Sequence, residues 1–458
     1  MVKFDRLISI IFLGSLHSPA IYSGSPFIEL TTSSQKVIRQ WDPPIIKWRY
    51  NPSGAPSNIQ SIIETALNTW KTQSQSTVEF EFSGTTTNNI PVLDGYCDFL
   101  FNVNFQALGL PNNIIALTFR NGSITDTLRS KSDRILEDAD IIVNPELSDL
   151  WITGIPTDPT QLDLNEIILH ESGHLLGLAH SFLIDSVMYP AKPRTSSDPE
   201  LKALYRVPKT TLAHDDSAWL SWLYPNSSFA SSTGTIEGRV FYNDRPYVGA
   251  HIVAAKLNES DLAYPFYPSS GAGDLLVRGL QNVATFSEQN GYFKIPGLNP
   301  GSYVLSVQDG ESFLNFSLSN VNDYLRQNRS VSEIPTAFYR SPDCGSDSIL
   351  SLNDFTNQYN AAAAFLVGAG RSYCGVDFQA KTGESFCTNS PRESNSCGGG
   401  GCQVSENSKA FSGIMGILLS VAGLLAILVL HRAIATLPRG AKADCTSTFD
   451  PTDKDFPS

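Results

Sequence analysis

Residues 160–180 read TQLDLNEIILHESGHLLGLAH. Leu162, Ile167, Ile168, Leu175 and Leu176 recur at the spacing of an apolar helical face, and Asp163 and Glu166 fall in the first turns, where the helix dipole favours anions. On such a helix His170 and His174 stand four apart and share a face, the spacing two imidazoles need to reach one Zn2+. Glu171 between them is placed to hold an attacking water and take its proton. Gly177 can adopt positive φ, end the helix and turn the chain so that His180 delivers a third nitrogen. Three protein ligands leave a fourth position open, which is the catalytic arrangement; a closed structural site would want a further ligand, typically Cys, and none lies nearby. The competing reading is that three of the chain's seven histidines are satisfied core residues that share this register by accident.

Eight residues past His180 stands Met188, within Ser186-Val187-Met188-Tyr189-Pro190. Together with His170-Glu171-Ser172-Gly173-His174 and Gly177-Leu178-Ala179-His180-Ser181, this segment resembles the metzincin zinc proteases and, among them, the matrixins. The resemblance implies an α+β metzincin catalytic domain, a twisted mixed sheet plus helices. It gives Met188 the role of a hydrophobic floor in a turn beneath the metal. Ser181 after the third His is the matrixin choice. Tyr189 follows Met188 directly, which does not match the Tyr ligand of the astacin-like branch, so it reads as wall.

The resemblance covers about residues 37–225. Trp41 to Asn51 resembles the first strand, and Ile59, Ile62, Ile63, Ala66, Leu67 and Trp70 have the spacing of the first helix. Residues 78–82 alternate as a strand does, and residues 113–119 and 138–143 supply two more apolar strands. The family places the edge strand beside the cleft in the latter region, where an extended peptide can pair. Residues 212–225 resemble the helix that closes the domain, with His214 at its surface or start. Many matrixins are held latent by a propeptide Cys on zinc; no Cys precedes Cys97, so a thiolate latch is not expected. Ca2+ stays open, since Asp133, Glu137 and Asp138 are available, with a solvated loop as the plainer reading.

Beyond this segment, 458 residues at 41% hydrophobic and 17% charged give room for two or three domains. A net charge of -13 argues against a polyanion-binding surface, so nucleic acid is not expected as a partner. Residues 1–23 carry Lys3 and Arg6, an apolar run and then small residues, the order of a secretory signal peptide; a buried N-terminal helix is the alternative. The zinc-binding domain is expected over 24–225 and a Ser-rich linker over 226–233. Period-two segments at 238–241, 250–254, 291–295 and 303–307 then read as an all-β sandwich over 234–380, with an insertion near 343–364. Gly297-Leu298-Asn299-Pro300-Gly301-Ser302-Tyr303 resembles the turn of carboxypeptidase-regulatory-like, transthyretin-like domains, and residues 374–378 their last strand.

Residues 381–410 read as a Gly, Ser and Cys tether. Residues 411–431 follow as a membrane-spanning helix, because about twenty uncharged apolar residues at about 1.5 Å each span about 30 Å of hydrocarbon. Arg432, Arg439 and Lys442 put the tail, 432–458, in the cytoplasm. The same tether, helix and basic cluster resemble bacterial C-terminal sorting signals, so a retained anchor and a processed one are both open. Cys344 with Cys374 and Cys397 with Cys402 are the pairings expected from proximity, with Cys445 reduced.

The expectation is thus an exported, cell-surface zinc endopeptidase acting on protein or peptide substrates, with its membrane contact at the C-terminal helix. A surface adhesin on the same scaffold is the alternative, disfavoured by the intact Glu171. A zinc hydrolase of non-peptide substrates is a third, disfavoured by the edge-strand cleft.

Overall fold

The computed structural model describes residues 26, 28–30, 36–38, 40–111, 113–121, 135–158, 160–189, 208–257, 266–268, 275–277, 281–309, 334, 336–339, 364–380, 387–388 and 392–394. The signal-like start, most of the tether, the apolar run at 411–431 and the tail lie outside them. Among the described residues no helix is long and apolar enough to cross a membrane.

Helix α1 (Ile59–Thr72) buries Ile59, Ile62, Ile63, Ala66, Leu67 and Trp70, the stripe its 3.6-residue spacing specifies. It packs beside a five-stranded sheet built from β1 (Ile45–Tyr50), β2 (Glu79–Thr85), β3 (Cys97–Leu100), β4 (Ala116–Asn121) and β5 (Asp138–Val143). The order is β2-β1-β3-β5-β4; the first four are parallel and β4 runs antiparallel to β5. This is the mixed sheet of an α+β domain. One expectation is corrected: residues 138–143 are not the edge. All six residues of β5 are buried and it has a neighbour on each side, whereas β4 pairs with β5 alone among the described residues. A strand that is buried on both faces loses water from every unpaired peptide group, so the interior is where it belongs.

Helix α2 (Leu164–Leu175) carries the histidines and packs on α1, β4 and β5. Asp163 caps its start, its side chain accepting from the Asn165 N–H at 3.1 Å. Helix α3 (His214–Leu223) closes the domain and has His214 as its first residue. Residues 226–233 contain a short helix, α4 (Phe229–Ser232), whose Phe229 is buried.

The strands that follow are β6 (Gly234–Tyr242), β7 (Ala250–Lys256), β8 (Val283–Phe286), β9 (Tyr292–Leu298), β10 (Gly301–Asp309), β11 (Ala337–Phe338), β12 (Phe365–Val367), β13 (Ser372–Cys374) and β14 (Phe378–Ala380). In one sheet β6 pairs with β9, β13 and β14; the other has the order β8-β7-β10-β11, with β12 also on β10. Ile236 and Val240 of the first and Ile252, Leu305 and Val307 of the second share a buried cluster. The last strand expected at 374–378 is instead two short ones. Residues 375–377 interrupt them because they bond β6 in another way, through Val376 N to the Glu237 carbonyl (3.1 Å) and Arg239 N to Asp377 Oδ1 (2.9 Å). Cys374 is disulfide-bonded and Cys97 is buried and free. Cys344, Cys397 and Cys402 lie outside the described residues.

Candidate active site

The end of α2 is set by Gly177 in the left-handed region, φ 97°. Gly177 N donates to the His174 carbonyl (3.0 Å) and Leu178 N to the Gly173 carbonyl (2.9 Å), the paired bonds of a Schellman cap. Two carbonyls that the helix leaves without amide partners find aromatic donors. Trp41 Nε1 donates to Leu175 O at 2.9 Å and the Tyr224 hydroxyl to Leu176 O at 2.8 Å. The turned chain then offers its own carbonyls to the histidines.

His174 Nδ1 lies 2.8 Å from Leu178 O, and His170 Nδ1 lies 2.7 Å from Val187 O. A carbonyl only accepts, so each Nδ1 carries the proton and each Nε2 is left with its lone pair. His174 Nε2 and His180 Nε2 approach to 3.2 Å, and one ligand atom from each of His170, His174 and His180 lies within 4.8 Å of the others. Loss of water around the rings, then the neighbouring histidines, pushes His174 well below the ordinary imidazole range. The same causes push His180 down to about 3. Neutral imidazoles with converging lone pairs are the donor set a Zn2+ ion takes, and the cluster is compatible with a zinc site.

Glu171 is buried beside them, and Thr118 of β4 reaches it: its hydroxyl lies 2.6 Å from Glu171 Oε2 and 3.1 Å from the Glu171 carbonyl. Burial raises the Glu171 carboxyl to about 7, against the pull of the Thr118 hydrogen bond. Met188 is fully buried. A Cβ at Gly173 would stand 2.3 Å from Met188 Sδ and 2.7 Å from Trp70 Cζ2, so the absence of a side chain between the histidines is what lets the Met188 side chain lie against α2. The ring of Tyr189 has Lys209 Nζ 5.0 Å from its centroid.

The turn around Met188 hangs on one carboxylate. Asp216 accepts from the Ser186 hydroxyl, from Val187 N (2.9 Å) and Met188 N (3.3 Å), and from Ala213 N (2.9 Å) at the start of its own helix. Burial raises its carboxyl and these donors oppose the rise. Ser181 N donates to Met188 O (2.8 Å), tying the third-histidine loop to the same turn.

All five residues expected from the motif therefore stand together. Sequence reasoning gave no site role to Thr118, Gly173, Trp41, Tyr224 or Asp216. Only Asp216 had a local signal, an acid in the first turn of a helix; the others act across the fold. Among the described residues, only Asp138 of the three acids weighed for Ca2+ departs from the loop reading. Asp133 lies outside the described residues, Glu137 is exposed, and Asp138 is a buried strand residue accepting from Asp94 N (3.0 Å) and Gly95 N (2.9 Å).

No curated protein of known function matches the chain. Residues 40–224 match the family model described as Matrixin, a match that supports a matrixin-like metzincin domain and metalloprotease activity for this part of the chain.

Proposed function

We propose that this protein is a zinc endopeptidase that works outside the cell on extracellular proteins. The observation that carries the reading is the convergence of three ring nitrogens beside a buried glutamate, with two of the opposite ring nitrogens held by carbonyls. His170, His174 and His180 would hold the metal. A zinc ion there supplies a Lewis acid that polarises the scissile carbonyl and lowers the pKa of water.

The chain's own groups do the rest. Glu171 takes a proton from the attacking water and passes it to the departing amine nitrogen, so the water's oxygen ends on the carbonyl carbon and its hydrogen on the new amine. Thr118 holds one carboxylate oxygen, leaving the other for the transfer. Burial keeps the carboxyl basic enough to accept the proton near neutral pH. Met188 floors the site, and β4, which pairs with β5 alone among the described residues, accommodates an extended peptide along its other side. We read residues 234–380 as a carboxypeptidase-regulatory-like sandwich and residues 411–431 as the segment that holds the protein at the cell surface, both on sequence pattern.

The test is zinc content and cleavage of a broad peptide library by the full chain, with and without chelator, and again with Glu171→Gln. The expected result is chelator-sensitive cleavage that falls by about 100-fold or more in Glu171→Gln while zinc stays bound. A Glu171→Gln protein that still cleaves removes the mechanism, and zinc without any cleavage turns the reading toward a surface binding protein.

A further inference from the structure

Residues 181–187, between the third histidine and the Met188 turn, reach beyond the zinc-binding domain. Leu183 shares a buried cluster with Val253, Ala255, Ala284, Val304 and Phe338 of the second sheet, and the Phe182 ring meets Phe286 edge-on at 5.6 Å. Alongside lies Asp215 on α3, fully buried. Its Oδ2 accepts from the hydroxyl of Ser181, the residue after His180, at 2.6 Å; its Oδ1 accepts from Ala284 N on β8 at 2.9 Å. Trp219 Nε1, one turn further along α3, donates to the carbonyl of the same Ala284 at 3.0 Å.

Among the described residues β8 is the outer strand of its sheet, paired with β7 alone. Its outward amide and carbonyl at Ala284 thus get their partners from α3, and in return Asp215 gets the second donor that a buried carboxyl needs. Ser181 is gripped on three sides: its amide on Met188 O (2.8 Å), its hydroxyl on Asp215 (2.6 Å), and Leu183 N on its oxygen (3.2 Å).

We propose that the strand region is a working part of the catalytic unit: Asp215 is a positioning residue that holds the His180 loop through Ser181, and β8 holds Asp215. The inference rests on the zinc-site reading above. It makes the second region a support for the third metal ligand rather than a spacer.

The test uses the full chain with Ala284→Pro, Ser181→Ala and the two combined. Ala284→Pro removes the outward N–H and leaves the β7 ladder in place, because that amide points away from it. The readouts are kcat against KM and the visible absorption of the Co2+-substituted protein. Each single change is expected to lower kcat about tenfold at near-constant KM and to shift the Co2+ band, with the combination no worse than the worse single. Additive losses, or a folded Ala284→Pro protein with kcat and band unchanged, overturn the proposal. Should Ala284→Pro lose its fold by near-UV circular dichroism, Asp215→Asn takes its place in the same cycle with the same criteria. Co2+ bound by the unaltered chain without peptide cleavage removes the peptidase reading alone, and the band shifts still decide the inference; no Co2+ uptake overturns both.

Discussion

The histidines at the end of α2 and the aspartates of β5 are both buried titratable groups in the same domain, yet they use their lone pairs in opposite ways. His170 and His174 give their Nδ1–H to carbonyls and turn the other nitrogen inward, where it meets that of His180. Asp140 spends both oxygens on backbone amides, Asp98 N and Val92 N, each at 2.8 Å, and Asp138 gives Oδ2 to Asp94 N and Gly95 N. Burial drives Asp138 up to about 6, and burial together with Asp138's charge drives Asp140 up to about 8. Among the described residues the histidines are the single group of three such side chains with converging ligand atoms. Backbone carbonyls behind His170 and His174 let their other ring nitrogens converge, whereas backbone amides take both oxygens of Asp140 and one of Asp138, and these carboxylates hold loop segments in place.

The comparison is most directly broken at His180. His180→Ala removes a ligand atom, and zinc affinity is expected to fall beyond the roughly 10–100-fold that loss of a supporting partner costs, by competition titration against a chelating dye. Retention of tight zinc would mean that the three nitrogens do not act together. Gly173→Ala comes next: its Cβ would crowd Met188 Sδ and the Trp70 ring, one of which must shift, so overpacking should cost about 1–3 kcal/mol of stability in denaturant unfolding and move the Met188 side chain.

A smaller effect is expected at Thr118. Thr118→Val keeps the strand and loses the hydroxyl on Glu171, so kcat should drop by about tenfold with zinc retained, while Thr118→Ser restores it. Equal activity of all three proteins would leave Thr118 a strand residue only. Asp138→Asn sharpens the other side of the comparison. The folded carboxyl, at about 6, titrates above the unfolded one, so the native state holds its proton longer. Its stabilising contribution is full below about pH 4 and is lost as pH rises through about 6. The thermal midpoint of Asp138→Asn should therefore match the unaltered protein near pH 4 and exceed it near pH 8, by the equivalent of on the order of 1 kcal/mol. A difference that is the same at both values would show that Asp138 is ionised throughout.

The converging histidines were legible because their logic is local. Two imidazoles four apart on a helix share a face whatever surrounds them, and a glycine three residues later can take the positive φ that ends the helix. The amphipathic stripe of α1 and the closing helix α3 were legible for the same reason, as was the β character of residues 234–309. Where local pattern is silent, the reading slipped: 138–143 and 113–119 are both apolar runs, and only the pairing decides which of them is interior. The acid at 138 was open in sequence to a calcium or loop role, and in the fold it is a buried acceptor.

By itself the sequence determined the helix, the histidine register, the glutamate between the histidines and the methionine that follows, since each depends on spacing along one chain. Only the tertiary structure decided which backbone carbonyls orient the rings, that Thr118 meets Glu171 across 53 residues, and that Asp215 joins the His180 loop to Ala284. The physical reason is the range of the forces. Periodicity is set by bond geometry within a few residues, whereas a buried polar group takes its partner from whatever the completed fold brings within hydrogen-bond distance.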